Sequence, residues 1–304
     1  MKELLDKILS DAAPYTERGE VANYIPELAK ACRSDLGACI ISADGETVCS
    51  GDYDKSFTMQ SVVKPIILLL ALRDSGRERV EALCGVEATG KPFDAFNYSD
   101  RALTGEHINP MVNAGAIALC TLIAGESGEE KFARLLELAR RLSGNPDMDV
   151  DEAVYLSEKS TGNKNRALAY MLKAYGMIDC DIESLLDVYF KACSIRATCV
   201  DLAKIALAIA RCHRGEDGEN PIPADDARYV SSIMAICGMY DGSGEFALRV
   251  GVPAKSGVGG GIMAAVPHRM GIGIYSPSLD KKGNSMAGVR ALEALSRELD
   301  IGVF

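Results

Sequence analysis

Ser61 and Lys64 stand three residues apart in the stretch Phe57-Thr58-Met59-Gln60-Ser61-Val62-Val63-Lys64-Pro65. On the first turn of a helix that spacing puts a hydroxyl and an amine on one face, close enough to meet. A serine beside an amine is a nucleophile beside a base, the arrangement used in acyl transfer. Pro65 supports a helix start at this point, because proline lacks an N–H and is tolerated only in the opening turn. A serine there lies under the positive end of the helix dipole, where free backbone N–H groups can receive an oxyanion. The pair runs directly into Ile66-Ile67-Leu68-Leu69-Leu70-Ala71-Leu72, which is apolar on every side and reads as a buried helix. Ser-x-x-Lys alone recurs by chance, and a serine at a helix start also reads as a simple cap.

Other polar clusters supply possible partners. Asn109-Pro110-Met111-Val112-Asn113-Ala114-Gly115-Ala116 sets two asparagines before an apolar helix. They read as a cap, or as placing Asn113 beside the serine to donate a hydrogen bond to substrate. Glu158 and Asn165 are seven residues apart around Gly162. They share a helix face if the helix continues through Gly162, and line a turn if it breaks there; Glu158 alone reads as a solvated charge. Lys255-Ser256-Gly257-Val258-Gly259-Gly260-Gly261 carries four glycines in five positions. That is costly in backbone entropy and fits a strand approached closely by something else, with the Val258 amide as an oxyanion donor; a plain loop is the alternative. Tyr240-Asp241-Gly242-Ser243-Gly244 reads as a turn that would present a phenol.

These residues need elements to hold them. Met1 to Leu9 alternates charge with leucine and reads as an amphipathic helix. The segment from Gly37 to Ser50, with Asp44-Gly45 in its middle, reads as a β-hairpin. From Ser61 to about Tyr240 the periodicity is helical, with breaks at Gly125 to Gly128 and at Ser143-Gly144-Asn145-Pro146. Strands are expected again at Phe246 to Val250, Gly261 to Val266 and Met270 to Tyr275, joined by short connections that imply antiparallel neighbours. A closing helix is expected from Ser285 to Leu299. Both ends of the chain therefore contribute to one sheet. The expected fold is α+β: an α/β part with an antiparallel sheet from residues 1–60 and 245–304, and a helical part from 61–244.

The chain has 304 residues, 48% hydrophobic and 25% charged, with a net charge of −10. That balance suits a soluble globular protein and gives nucleic acid or an anionic membrane little electrostatic attraction. The N-terminus has no continuous apolar core of a signal peptide, and Pro65 to Leu72 is far short of the ~20 residues that cross a bilayer. A cytoplasmic location and a small-molecule substrate are expected. The ten cysteines are spread singly and read as small core hydrophobes. With three histidines and no His-Cys cluster, no metal is expected. Phosphate-loop and dinucleotide fingerprints are missing, so no cofactor is expected either.

Ser-x-x-Lys, then an asparagine motif, then Lys-Ser/Thr-Gly on a strand is the order found in penicillin-binding proteins and serine β-lactamases, and the sequence resembles that superfamily. It resembles still more closely one branch, the serine-dependent glutaminases of bacterial type. The similarity rests on Gln60-Ser61-Val62-Val63-Lys64-Pro65, Asn109 to Ala116, Ser157-Glu158 with Asn165, Asp187-Val188-Tyr189-Phe190, Gly238 to Gly244 and Ala254 to Gly261. One departure is Glu87-Ala88-Thr89-Gly90, where a Glu-Pro-Ser-Gly-like loop is expected.

The resemblance implies a β-lactamase/transpeptidase-like fold and hydrolysis of L-glutamine to L-glutamate and ammonia by a homo-oligomer, a dimer or tetramer. It makes Ser61 the nucleophile and Lys64 its base, with Tyr240 in proton transfer. Substrate contacts would fall on Tyr24, Gln60, Ser61, Asn113, Glu158, Asn165, Tyr189, Tyr240 and Val258. Lysine is a base only when neutral, and its ordinary pKa is ~10.4; burial and a second cation, for which Lys255 is the candidate, would lower that value. Glu158 would hold the substrate ammonium. The rivals are a penicillin-interacting peptidase or β-lactamase-like hydrolase, and a non-catalytic amino-acid sensor.

Overall fold

The protein, seen in a computed structural model, is described over residues 1–88, 108–211 and 222–304. His107, Cys212, His213 and the Thr89-Gly90 half of the departing loop lie outside the described residues. The strands are β1 (Gly37–Ser42), β2 (Thr47–Gly51), β3 (Phe57–Thr58), β4 (Arg196–Ala197), β5 (Ala254–Ser256), β6 (Gly261–Val266) and β7 (Met270–Tyr275). The earlier helices are α1 (Lys2–Ala12), α2 (Lys64–Ser75), α3 (Arg77–Leu83), α4 (Asn113–Cys120), α5 (Gly128–Ser143) and α6 (Glu152–Thr161). The later ones are α7 (Asn163–Ala174), α8 (Ile182–Cys193), α9 (Cys199–Ala210), α10 (Ala224–Cys237), α11 (Ser243–Arg249) and α12 (Met286–Leu299).

The expected hairpin is present as β1 and β2, turning at Gly45 with φ 94°. β7 pairs antiparallel with β1, β6 with β7 and β5 with β6, so the sheet order is β2-β1-β7-β6-β5. Both faces of the sheet are covered. Along β6, Ile262, Ala264 and Val266 pack with α1 and α12, whereas Met263 and Ala265 belong to the core on the side of α9 and the other helices. Burial on both faces is why this strand reads as an unbroken apolar run. On β7, Gly271 and Gly273 let α9 lie directly on the strand: a Cβ at either would overlap carbonyl oxygens of that helix.

α2 runs through the centre of the helical layer. Ile66 to Leu72 are all buried, as an apolar surface on all sides requires. The expectation of a strand at Phe246 to Val250 is corrected: α11 runs through Arg249, and Val250 is its C-cap. The side chains follow a helical period, since Phe246 and Val250 enter the core one turn apart while Leu248 is 91% exposed. Glu245 and Arg249 add an ion pair at four-residue spacing.

Candidate active site

The site begins where β3 meets β4. Phe57 and Thr58 pair with Ala197 and Arg196, and the Met59 amide donates to the Ile195 carbonyl at 2.8 Å. The chain then turns through Gln60, which has φ 48°, a left-handed conformation uncommon outside glycine. Residues Gln60–Val63 form one 3-10 turn and α2 starts at Lys64, with Pro65 in its opening turn as expected. Ser61 is no cap: Met59 and Val63 hold the capping positions, without side-chain cap bonds.

Lys64 is wholly buried. Its Nζ donates to Asn113 Oδ1 at 2.7 Å and to the Met111 carbonyl at 3.1 Å. Asn113 thus meets the lysine; its Oδ1 also accepts from the Tyr189 hydroxyl at 3.1 Å, and its Nδ2 donates to Asn165 Oδ1 at 3.0 Å. The upstream Asn109 has a structural task, closing a turn by accepting from the Met111 amide and donating to the Glu87 carbonyl.

Glu158 is not a solvated charge. It is 6% exposed, and burial raises its pKa while hydrogen bonds from Tyr24 and Gln60 act in the opposite sense. The Tyr24 hydroxyl lies 2.5 Å from Glu158 and 3.1 Å from Gln60 Oε1. Half of the Tyr24 surface is open to solvent, so this residue lies between the outside and the carboxylate. Its own pKa is pushed up by burial of the hydroxyl and by the Glu158 charge. The helix does break at Gly162, between α6 and α7. A Cβ there would run into the Phe190 ring and the Glu158 carbonyl, and the break turns Asn165 toward Asn113.

On the sheet side, Val258 sits in the tight turn from Gly257 to Gly260 that joins β5 to β6, closed by the Gly260 amide on the Gly257 carbonyl at 2.9 Å. Gly257 and Gly259 press against the carbonyls of Met59 and Thr58, so the glycine run is where the sheet meets the Ser61 turn. Tyr240, also left-handed at φ 55°, points its phenol into this junction. Burial drives its pKa well up, outweighing the nearby Ser61 side chain and Val258 backbone, which act in the opposite sense. Lys255 Nζ lies 4.4 Å from the centre of the Tyr240 ring and donates to the carbonyls of Gly238 (3.1 Å) and Ser256 (2.5 Å). Burial, then repulsion from Lys64, holds the Lys255 pKa well below its ordinary value.

Cys193 was not singled out in the sequence. Its thiol lies beside Tyr189 and is pushed up to about 12 by burial and then by the Glu158 charge. It lies one turn beyond Tyr189 on α8, and that four-residue spacing was the available signal. Among the described residues, no group of three or more His, Cys, Asp or Glu side chains is arranged to hold a metal ion, and no helix is long and apolar enough to cross a membrane.

Known proteins bear the same arrangement of chain. Glutaminase 2 of Clostridium perfringens is 50% identical over 307 residues, and the glutaminase of Clostridium tetani is 49% identical over 305; each match covers 100% of both chains. Among solved structures, the probable glutaminase ybaS superposes with a TM-score of 0.92 at 34% identity, covering 100% of this chain and 99% of that one. The Bacillus subtilis glutaminase YbgJ, in a covalent complex with 5-oxo-L-norleucine formed from 6-diazo-5-oxo-L-norleucine, superposes at 0.90 with 37% identity, covering 100% and 99%. The fold is accordingly α+β of the β-lactamase-like type. A family model described as Glutaminase matches residues 19–304, and with full-length relatives at half identity this chain belongs to the glutaminase family of amide hydrolases.

Proposed function

We propose that this chain hydrolyses L-glutamine to L-glutamate and ammonia through a serine acyl-enzyme. The site would lie between a discontinuous α/β part, residues 1–60 and 245–304, and a helical part, 61–244. The observation that carries the reading is the junction where the turn holding Ser61 meets the glycine turn holding Val258, with Gly257 and Gly259 lying against the Met59 and Thr58 carbonyls, backed by two fully buried lysines.

Ser61 Oγ attacks the side-chain amide carbon while neutral Lys64 takes its proton. Complete burial of Lys64 favours the neutral amine over the charged one. The amides of Ser61 and Val258 receive the oxyanion. Tyr240, whose phenol stays protonated at neutral pH because its pKa is raised, gives its proton to departing ammonia, and its phenolate then activates water against the acyl-enzyme. Glu158, with Tyr24 and Gln60, holds the substrate ammonium. Asn113, Asn165 and Tyr189 hold the carboxylate without an arginine.

The test is a substrate panel together with a trapping experiment. Ammonia release should be greatest from glutamine and weaker from asparagine, with no nitrocefin turnover, and 6-diazo-5-oxo-L-norleucine should label the peptide holding Ser61. Ser61→Ala should lose turnover and labelling together. A stronger asparagine signal would overturn the substrate; full activity in Ser61→Ala would overturn the nucleophile; and an inactive wild type that still binds glutamine would make the protein a sensor.

A further inference from the structure

Cys39 and Cys49, far from any paired-cysteine motif in the sequence, face each other across the β1–β2 hairpin. The ladder fixes what kind of pair they form. The Ser42 amide donates to the Glu46 carbonyl at one end, and the Asp52 amide to the Leu36 carbonyl at the other. Bonded and non-bonded pairs alternate along antiparallel strands. Stepping inward from either end therefore makes 40/48 and 38/50 hydrogen-bonded and Cys39/Cys49 non-hydrogen-bonded. In such pairs the Cα atoms are about 4.5 Å apart, within the span a disulfide bridges without backbone movement. The two sulfurs already stand 2.8 Å apart. Cys39 is fully buried and Cys49 half-buried on the edge strand β2, so one of the two is accessible from solvent.

We propose that Cys39 and Cys49 form a reversible cross-strand disulfide, with a low-molecular-weight disulfide of the glutathione class as oxidant. The Cys49 thiolate attacks one sulfur of the oxidant and releases the other half as a thiolate. Cys39 then attacks the Cys49 sulfur of the mixed disulfide, its proton passing to the thiolate already released, and the second small thiolate leaves, taking up the proton that Cys49 lost. Two protein thiols are oxidised and one small disulfide is reduced to two thiols. Burial keeps the Cys39 thiol protonated, so the reaction begins at Cys49. Cys199, the third thiol of this neighbourhood, is turned toward the Gly37 carbonyl at 3.4 Å.

The experiment treats the full chain with oxidised glutathione, counts free thiols after denaturation and maps the linked peptides. We expect a loss of two thiols per chain, a Cys39–Cys49 peptide, recovery of both thiols with dithiothreitol, and a higher melting temperature for the oxidised form. Cys49→Ser should abolish the linked peptide and keep glutamine turnover. Glutathione remaining attached to Cys49, a Cys49–Cys199 link, an unchanged thiol count, or a lower melting temperature on oxidation would each overturn the proposal. None of these outcomes depends on which amide the protein hydrolyses.

Discussion

Glu158 is a carboxylate kept from water, and the Tyr24 hydroxyl that donates to it is neutral. A bound ammonium would supply the opposite charge. Hydrogen bonds to charged groups are worth about 1.5–3 kcal/mol, so Glu158→Gln should raise KM for glutamine about 10- to 100-fold. Steady-state kinetics check this, and an unchanged KM would remove Glu158 from ammonium recognition. The proposed base makes a different prediction. It must be neutral to take the Ser61 proton, and a guanidinium stays charged at every working pH. Lys64→Arg should therefore lower kcat about 10²- to 10⁴-fold, and a wild-type kcat in that variant would remove Lys64 as the base. At this scale the sequence was informative about residue types and less so about partners. Ser61 and Lys64 announce themselves by spacing, but nothing in the order Asn113, Asn165, Tyr189 says that a chain of hydrogen bonds joins all three. Glu158 looked like a surface charge because its burial comes from Tyr24 and Gln60, far away in the chain.

Elements were legible where periodicity is strong. The β1–β2 hairpin, β7, α5 and α12 follow from turn signals, alternation or helical spacing, and β6 from an unbroken apolar run. Phe246 to Val250 misled because five residues holding Phe, Leu and Val fit either period, and only the exposure of Leu248 separates the two. The turn at Gln60 and Tyr240 could not be read either, since left-handed backbone at a non-glycine residue is imposed by its surroundings. α9 lies on β7 at the distance two glycines permit. Gly273→Ala would drive a methyl into the Cys199 carbonyl and the Leu202 side chain, forcing the helix off the sheet. Overpacking of this kind costs ~1–3 kcal/mol, to be seen as a lower urea midpoint at unchanged slope. A midpoint equal to wild type would mean that α9 can move without loss.

For the whole molecule, burying Lys255 ties stability to pH. Its folded-state pKa is depressed, so between that value and ~10.4 the unfolded chain binds a proton that the folded chain lacks. The Lys255 contribution to stability therefore rises with pH across this window and falls as pH drops through it. The buried thiols, whose raised pKa values act in the opposite sense above ~8.5, are common to both proteins, so the difference in urea midpoint between wild type and Lys255→Met should change in favour of wild type from pH 7 to pH 9.5; a constant difference would contradict this. The sheet order has a temporal consequence as well. β7 is inserted between β1 and β6, so during synthesis the hairpin at residues 37–51 waits for more than two hundred further residues before its inner edge finds a partner. Until then the Ser61 turn has no glycine ribbon to rest on. Contacts this distant along the chain slow folding, and a nascent chain released before residue 270 could hold many correct helices and yet have nowhere to bind an amide.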